Sequence, residues 1–168
     1  MEQNKALAKI LPDSATVVDK AQAIDASRWL RDCEWRQLES LAVYFDQYHF
    51  PKDTIIIDEG SVSRLLGIVS AGALLVEKEG AGGERSSLAK LGRGRAMGEI
   101  SLIDGYPASA SVRAGEDTTL LVLWGERFED LLKEKPALAN VVLLKIALTL
   151  SGRLRRTSGK LVDFLDAE

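Results

Sequence analysis

A chain of 168 residues, 46% of them hydrophobic and 28% charged, suits one domain, or one domain with an extension, and excludes two full-sized domains. That much apolar material supports a packed core and excludes a disordered chain. Its 22 basic and 25 acidic side chains leave a net charge of −3, which excludes an overall positive field for nucleic acid while leaving room for a local basic patch.

The first 50 residues read as helical. Ser27 is placed to cap a segment in which Leu30 and Cys33, then Leu38, Leu41, Ala42 and Phe45, recur mostly at spacings of three and four. That periodicity predicts one apolar stripe on a helix ending near Phe50 and Pro51. From residue 54 to 124 the pattern changes to short β-rich runs separated by glycines about every ten residues, over 54–57, 66–70, 73–78, 86–91, 109–114 and 120–124. Gly80-Ala81-Gly82-Gly83 supplies a reversal between two of them, since glycine reaches the positive φ angles of tight turns. The fold class predicted is mainly β with flanking helices, built on an antiparallel β-roll.

After Gly125 the helical period returns in Phe128, Leu131 and Leu132, and then beyond Pro136 in a run with few breakers. Leu143, Ala147, Leu150, Leu154, Leu161 and Leu165 keep spacings of four and three, with Ser158 filling the gap. A helix over 138–166 would be roughly 40 Å long at about 1.5 Å per residue, longer than so small a roll can cover. The overhang predicts a parallel homodimer seam, the alternative being a helix folded back on the roll. Gly152 and Gly159 each weaken that helix by about 1 kcal/mol relative to alanine, and would let a second helix approach closely.

Cys33 is the only cysteine and His49 the only histidine. Together they remove an internal disulfide, a thiolate metal cluster and the multi-histidine metal sites of small roll-shaped enzymes. They also remove any Ser-His or Cys-His pairing that does not use this one ring. No catalytic residue, metal or cofactor is therefore assigned. The first residues lack a basic region followed by an apolar core, so no secretory signal is expected. The longest apolar stretch, 137–150, is broken by Asn140 and Lys145 and falls short of the roughly 20 residues that span a bilayer. The expectation is a soluble, cytoplasmic protein in a reducing compartment, with no membrane partner.

The segment richest in chemistry runs from Gly92 to Ala114. Glycines precede a short helix-capable piece, Glu99 to Ile103. First-turn amides have no internal partner, so such a piece can cradle an anion, phosphate above all. By spacing alone, an ordinary glycine-rich turn, common in β-proteins, is the better account.

Gly98-Glu99-Ile100-Ser101-Leu102, then Pro107, then Ser109-Ala110-Ser111-Val112, resembles the phosphate-binding cassette of cyclic nucleotide-binding domains, the sensor modules of bacterial cAMP receptor proteins and of cyclic-nucleotide-regulated kinases and channels. Phe50-Pro51-Lys52-Asp53-Thr54-Ile55-Ile56 with Glu59-Gly60, and Gly67-Ile68-Val69-Ser70-Ala71-Gly72, resemble the family's early strands and turns. Arg153-Leu154, Thr157-Ser158 and Lys160 resemble the central dimer helix of the bacterial receptors. The resemblance covers the chain from about residue 35 onward. It implies a jelly roll, or double-stranded β-helix, over 50–128, preceded by a helical extension over 1–49 and followed over 129–168 by helices that include a long dimerisation helix.

The resemblance also implies roles. Glu99 would accept a hydrogen bond from the ribose 2′-hydroxyl. Gly98, the amides of Ile100 and Ser101, and Ser109 with Ala110 would surround the phosphate, while Thr157 and Ser158 would contact the base. The ligand implied is cAMP or cGMP. The sequence departs from the family pattern at Ala108, where an arginine usually pairs with the phosphate. A charge-assisted hydrogen bond contributes roughly 1.5 to 3 kcal/mol, so its loss should weaken binding about ten- to a hundredfold unless another cation replaces it. Arg93, Arg95 and Arg113 are the replacements weighed, Arg95 being nearest the cassette rim.

The reading is a stand-alone sensor module that binds a cyclic nucleotide or related anion and signals through its last helix as a homodimer. The alternative is a degenerate, ligand-free homodimeric adaptor. A DNA-binding regulator is disfavoured, because the sequence ends soon after the long helix and Asp13, Asp19, Asp25 and Asp32 suit a phosphate backbone badly. No direct nucleic-acid contact is expected, although Arg153, Arg155, Arg156 and Lys160 form a basic cluster. A cupin-like metalloenzyme is disfavoured by the single histidine.

Overall fold

The structure is a computed structural model and describes residues 10–80 and 83–165. Two helices, α1 (Val17–Ser27) and α2 (Trp35–Ala42), precede strands β1 (Asp46–Phe50), β2 (Ile55–Ile57), β3 (Leu65–Ala71), β4 (Ala73–Glu79), β5 (Arg85–Gly92) and β6 (Ala96–Met97). A short helix α3 (Glu99–Asp104) interrupts the strands before β7 (Ser111–Ala114) and β8 (Thr118–Trp124). Helices α4 (Gly125–Glu134) and α5 (Pro136–Leu165) follow.

The strands form two antiparallel sheets ordered β1-β8-β3-β6 and β2-β7-β4-β5. This is the β-roll with flanking helices and a long last helix that the sequence predicts. Its central strands are apolar on both faces, and alternation sorts their side chains into two cores. Leu65, Val69, Leu120 and Val122 face the second sheet, where they meet Ile56, Leu74 and Val112. Leu66, Ile68, Leu121 and Leu123 face the helices, where they meet Ile24, Leu41, Phe128 and Ile146.

The N-terminal region departs from its predicted form. Helix α1 is capped by Thr16, whose Oγ1 accepts from Asp19 N at 3.2 Å while Asp19 Oδ2 accepts from Thr16 N at 2.9 Å. Ser27 ends that helix rather than starting one. Its Oγ donates to Ile24 O at 2.6 Å and accepts from Trp29 N at 3.1 Å, and Arg28 follows with φ 58°. The second helix stops at Ala42, and residues 46–50 are strand, not helix. Tyr48 and Phe50 are buried around an exposed His49, a period of two that pairing with β8 selects over the helical reading. Within the predicted 80–83 reversal, Gly83 N donates to Gly80 O at 2.9 Å, and residues 81 and 82 lie outside the described ones. Residues 1–9 and 166–168 also lie outside them.

The first part of helix α5 folds back on the roll. Ala139, Val142 and Ile146 are buried against the roll, with Leu143 and Leu150 half-buried beside them. Ala147, Leu154 and Leu161 of the predicted seam are exposed instead, in company with Leu144 and Leu148. The seam therefore spans two faces: its first part packs on the roll and its later part stays uncovered. The Leu165 side chain lies outside the described residues. Within Pro136–Gly159 the most apolar window, broken by Asn140 and Lys145 as the sequence shows, has a mean hydropathy of 1.5, so by length and composition alone this helix is long and apolar enough to cross a membrane. Core packing of its first turns accounts for part of that apolarity.

Candidate ligand-binding site

The turn into α3 shapes the site. Gly98 has φ +77°, and a Cβ on it would lie 2.5 Å from Leu65 O, so the chain can reverse here only with glycine. Leu102 N bonds to Gly98 O at 3.0 Å, which leaves the first-turn amides of Ile100 and Ser101 ahead of the helical bonding pattern. Opposite α3, the 105–110 loop is fixed by backbone bonds from Gly60 N to Ala108 O at 2.8 Å and from Ala108 N to Ser61 O at 2.9 Å. Lys78 Nζ also donates to Ser109 O at 3.1 Å.

Between these segments and α5 lies a cavity of about 530 Å³. Gly98, Glu99, Ile100, Ser101, Ala108, Ser109, Ala110, Arg95 and Thr157 all line it. The structure thus brings nine of the ten sequence-selected residues around one space. Ser158 is exposed and is not on this wall.

Glu99 is only 1% exposed. Its Oε1 accepts from Arg153 Nη1 of α5, and Arg153 Nη2 donates to Ala96 O at 2.6 Å. Its Oε2 is buried and has no hydrogen-bond partner among the described residues. Burial pushes the Glu99 carboxyl up from the ordinary range, with the Arg153 guanidinium pulling the other way. Arg153 sits in the stretch that resembles the dimer helix, yet no sequence signal pairs it with Glu99. The contact exists only once α5 crosses the roll.

The three arginines weighed as replacements for a cation at residue 108 are placed differently. Arg113 does not supply that cation: its guanidinium is held by Glu77 on the neighbouring strand, with Nη2 to Oε1 at 2.6 Å, and by Asp53. That pairing holds the Glu77 carboxyl below its usual range. Arg93 is exposed and off the cavity wall. Arg95 is on the wall, joined by Arg153 and by Arg156, which sequence reasoning placed only in a basic cluster. Neither Arg95 nor Arg156 has an ion pair among the described residues. Elsewhere, burial pushes the Cys33 thiol up, and the Asp32 carboxylate adds to it.

A roll closed by one short and one long helix, over a cavity walled by a buried carboxylate and three guanidiniums, is the architecture of a regulatory domain with an internal pocket. The family model for the cyclic nucleotide-binding domain matches residues 47–135, and the chain belongs to that family. The cyclic AMP receptor protein of Thermus thermophilus is 34% identical over 125 residues, which are 74% of this chain and 56% of that protein. The chain therefore spans a little over half of that relative. The crystal structure of a cyclic nucleotide-binding domain from Methylobacillus flagellatus superposes with a TM-score of 0.85 at 24% identity, over 95% of this chain and 92% of that one. That of the Thermus thermophilus catabolite activator protein gives 0.72 at 30% identity, over 82% of this chain and 62% of that one. The fold is that of the cyclic nucleotide-binding regulatory domains.

Proposed function

We propose that this chain is a cytoplasmic sensor module in which cAMP or cGMP occupies the cavity between α3, the 105–110 loop and α5. The observation that carries the reading is Glu99 Oε2, a buried carboxylate oxygen on the wall of that cavity with no partner among the described residues. Leaving such a group unpaired costs free energy, and a ligand hydroxyl would relieve it. The ribose 2′-hydroxyl supplies one, while Arg95 and Arg156 supply positive charge for the phosphate that residue 108 does not. Thr157 places α5 on the same wall, so ligand and helix position are coupled. A ligand shifts the helix only by binding one arrangement better than the other. The uncovered Leu154 and Leu161 give that helix a homodimer face.

A second reading, a ligand-free homodimeric adaptor, is favoured by Ala108 and by Arg153 already engaging Glu99. Calorimetric titration with cAMP and with cGMP separates them. Saturable binding near one site per chain supports the sensor. No heat up to millimolar nucleotide removes it and leaves the adaptor.

A further inference from the structure

A second cavity, of about 260 Å³, lies on the other side of the arginine wall, between the end of α1, the β5–β6 turn and α5. Arg28, Arg95, Lys145, Arg153 and Arg156 all line it, and among the described residues no carboxylate does. Of these five, only Arg153 has an ion pair among the described residues. Trp29 lines the same cleft at 4% exposure, and its indole Nε1, a hydrogen-bond donor, is buried without an acceptor among the described residues. The walls are held in register by close backbone packing. Gly94 N donates to Val69 O at 2.8 Å, and a Cβ on Gly94 would lie 2.2 Å from Ser27 O, so the turn carrying Arg95 is pressed onto the end of α1.

We propose that this cleft is a second anion site, distinct from the cassette cavity, that binds a chain of phosphates. Converging cations without counter-charges repel one another, and an anion between them removes that cost. Guanidiniums match phosphate oxygens in paired hydrogen bonds, whereas a single small anion would leave most of the five cations unmet. A triphosphate, free or carried by a nucleotide, has the charge and the length to meet several of them. The site stands whether or not a cyclic nucleotide binds the cassette.

Arg28 and Lys145 line only this cleft, and Lys90 lines only the cassette cavity, which makes the two sites separable by substitution. Calorimetry of the full chain with sodium tripolyphosphate is expected to show saturable binding that weakens as salt is raised. R28Q and K145Q should each lower the affinity about five- to tenfold, the size of one lost charge-assisted contact near the surface, while K90Q stays within about twofold. If K90Q weakens binding and R28Q and K145Q do not, the anion sits in the cassette and the proposal is overturned. It is equally overturned if none of the three changes the affinity. In a parallel titration, ATP binding more tightly than tripolyphosphate, with the same response to R28Q, assigns the phosphate chain to a nucleotide. Equal affinity assigns it to free polyphosphate.

Discussion

Arg153, on the long last helix, donates through Nη1 to Oε1 of Glu99, which opens the short helix of the cassette 54 residues earlier. The pair ties α5 to the site, because the same guanidinium also reaches Ala96 O. Its two ends are unequally placed: the carboxylate side chain is 1% exposed and the guanidinium side chain 35%. Replacing Arg153 with Met should strand a buried charge and cost about 1 to 3 kcal/mol, below the range for fully enclosed pairs because one partner is solvated. Adding Glu99→Gln to that variant should recover most of the loss. Urea denaturation of the two variants measures both, and a Met variant as stable as the parent would show that the pair does not anchor the helix.

The same carboxylate sets a pH dependence. Burial raises the folded pKa of Glu99 above its unfolded value, so the folded state binds more protons between the two. Stability from this group is therefore greatest at low pH and falls as pH rises from the ordinary Glu value of about 4.3 toward the raised one. Glu77 has the opposite sign: Arg113 lowers its folded pKa, so its contribution is present at neutral pH and is lost as pH falls below the ordinary range. Denaturation midpoints between pH 3 and 8 should show that Glu99→Gln removes the decline on the neutral side and Glu77→Gln the decline on the acid side. A Glu99→Gln profile parallel to that of the parent would contradict the first assignment.

Much of this was legible in the chain because local patterns and tertiary demands coincide. The runs around Leu66, Ala73 and Leu120 announce strands, and Gly98 announces a turn that no other residue could make. The N-terminal helix boundaries were not legible. Ser27 suits either end of a helix, and Tyr48 and Phe50 alternate over too few residues to outweigh the helical stripe until β8 pairs with them. Nor was the charge distribution of the site. Of the three arginines weighed, the sequence could favour Arg95 by its nearness to the cassette, but only strand register, which sets Arg113 beside Glu77, removes that residue from the cavity, and only the path of α5 brings Arg156 to it.

The outer face of α5 carries a prediction about assembly. Leu154 is 68% exposed and Leu161 58%. They lie two turns apart on the outward side of the helix, and apolar residues so placed lose free energy to water unless a partner covers them. A second copy aligned in parallel would cover both at once, since each helix offers the same row. Sedimentation analysis should find a dimer for the parent and a monomer for the doubly substituted Leu154→Glu, Leu161→Glu chain, with the fold retained because neither side chain touches the core. A parent that sediments as a monomer at all accessible concentrations would exclude this face as a dimer seam.

Position 108 tests the site itself. Ala108 is half-buried on the cavity wall, and its backbone is fixed on both sides by Gly60 and Ser61, so a longer side chain there extends from a rigid base. In Ala108→Arg the new guanidinium would join Arg95 and Arg156 around the same space. Their mutual repulsion should lower the stability of the free protein slightly. A bound cyclic phosphate would offset that repulsion and gain a charge-assisted pair, raising affinity for cAMP about ten- to a hundredfold. Calorimetry on the variant and the parent reads the difference directly. An unchanged affinity would mean that the phosphate does not lie beside residue 108, and that the space between α3 and the 105–110 loop is not where a cyclic nucleotide binds.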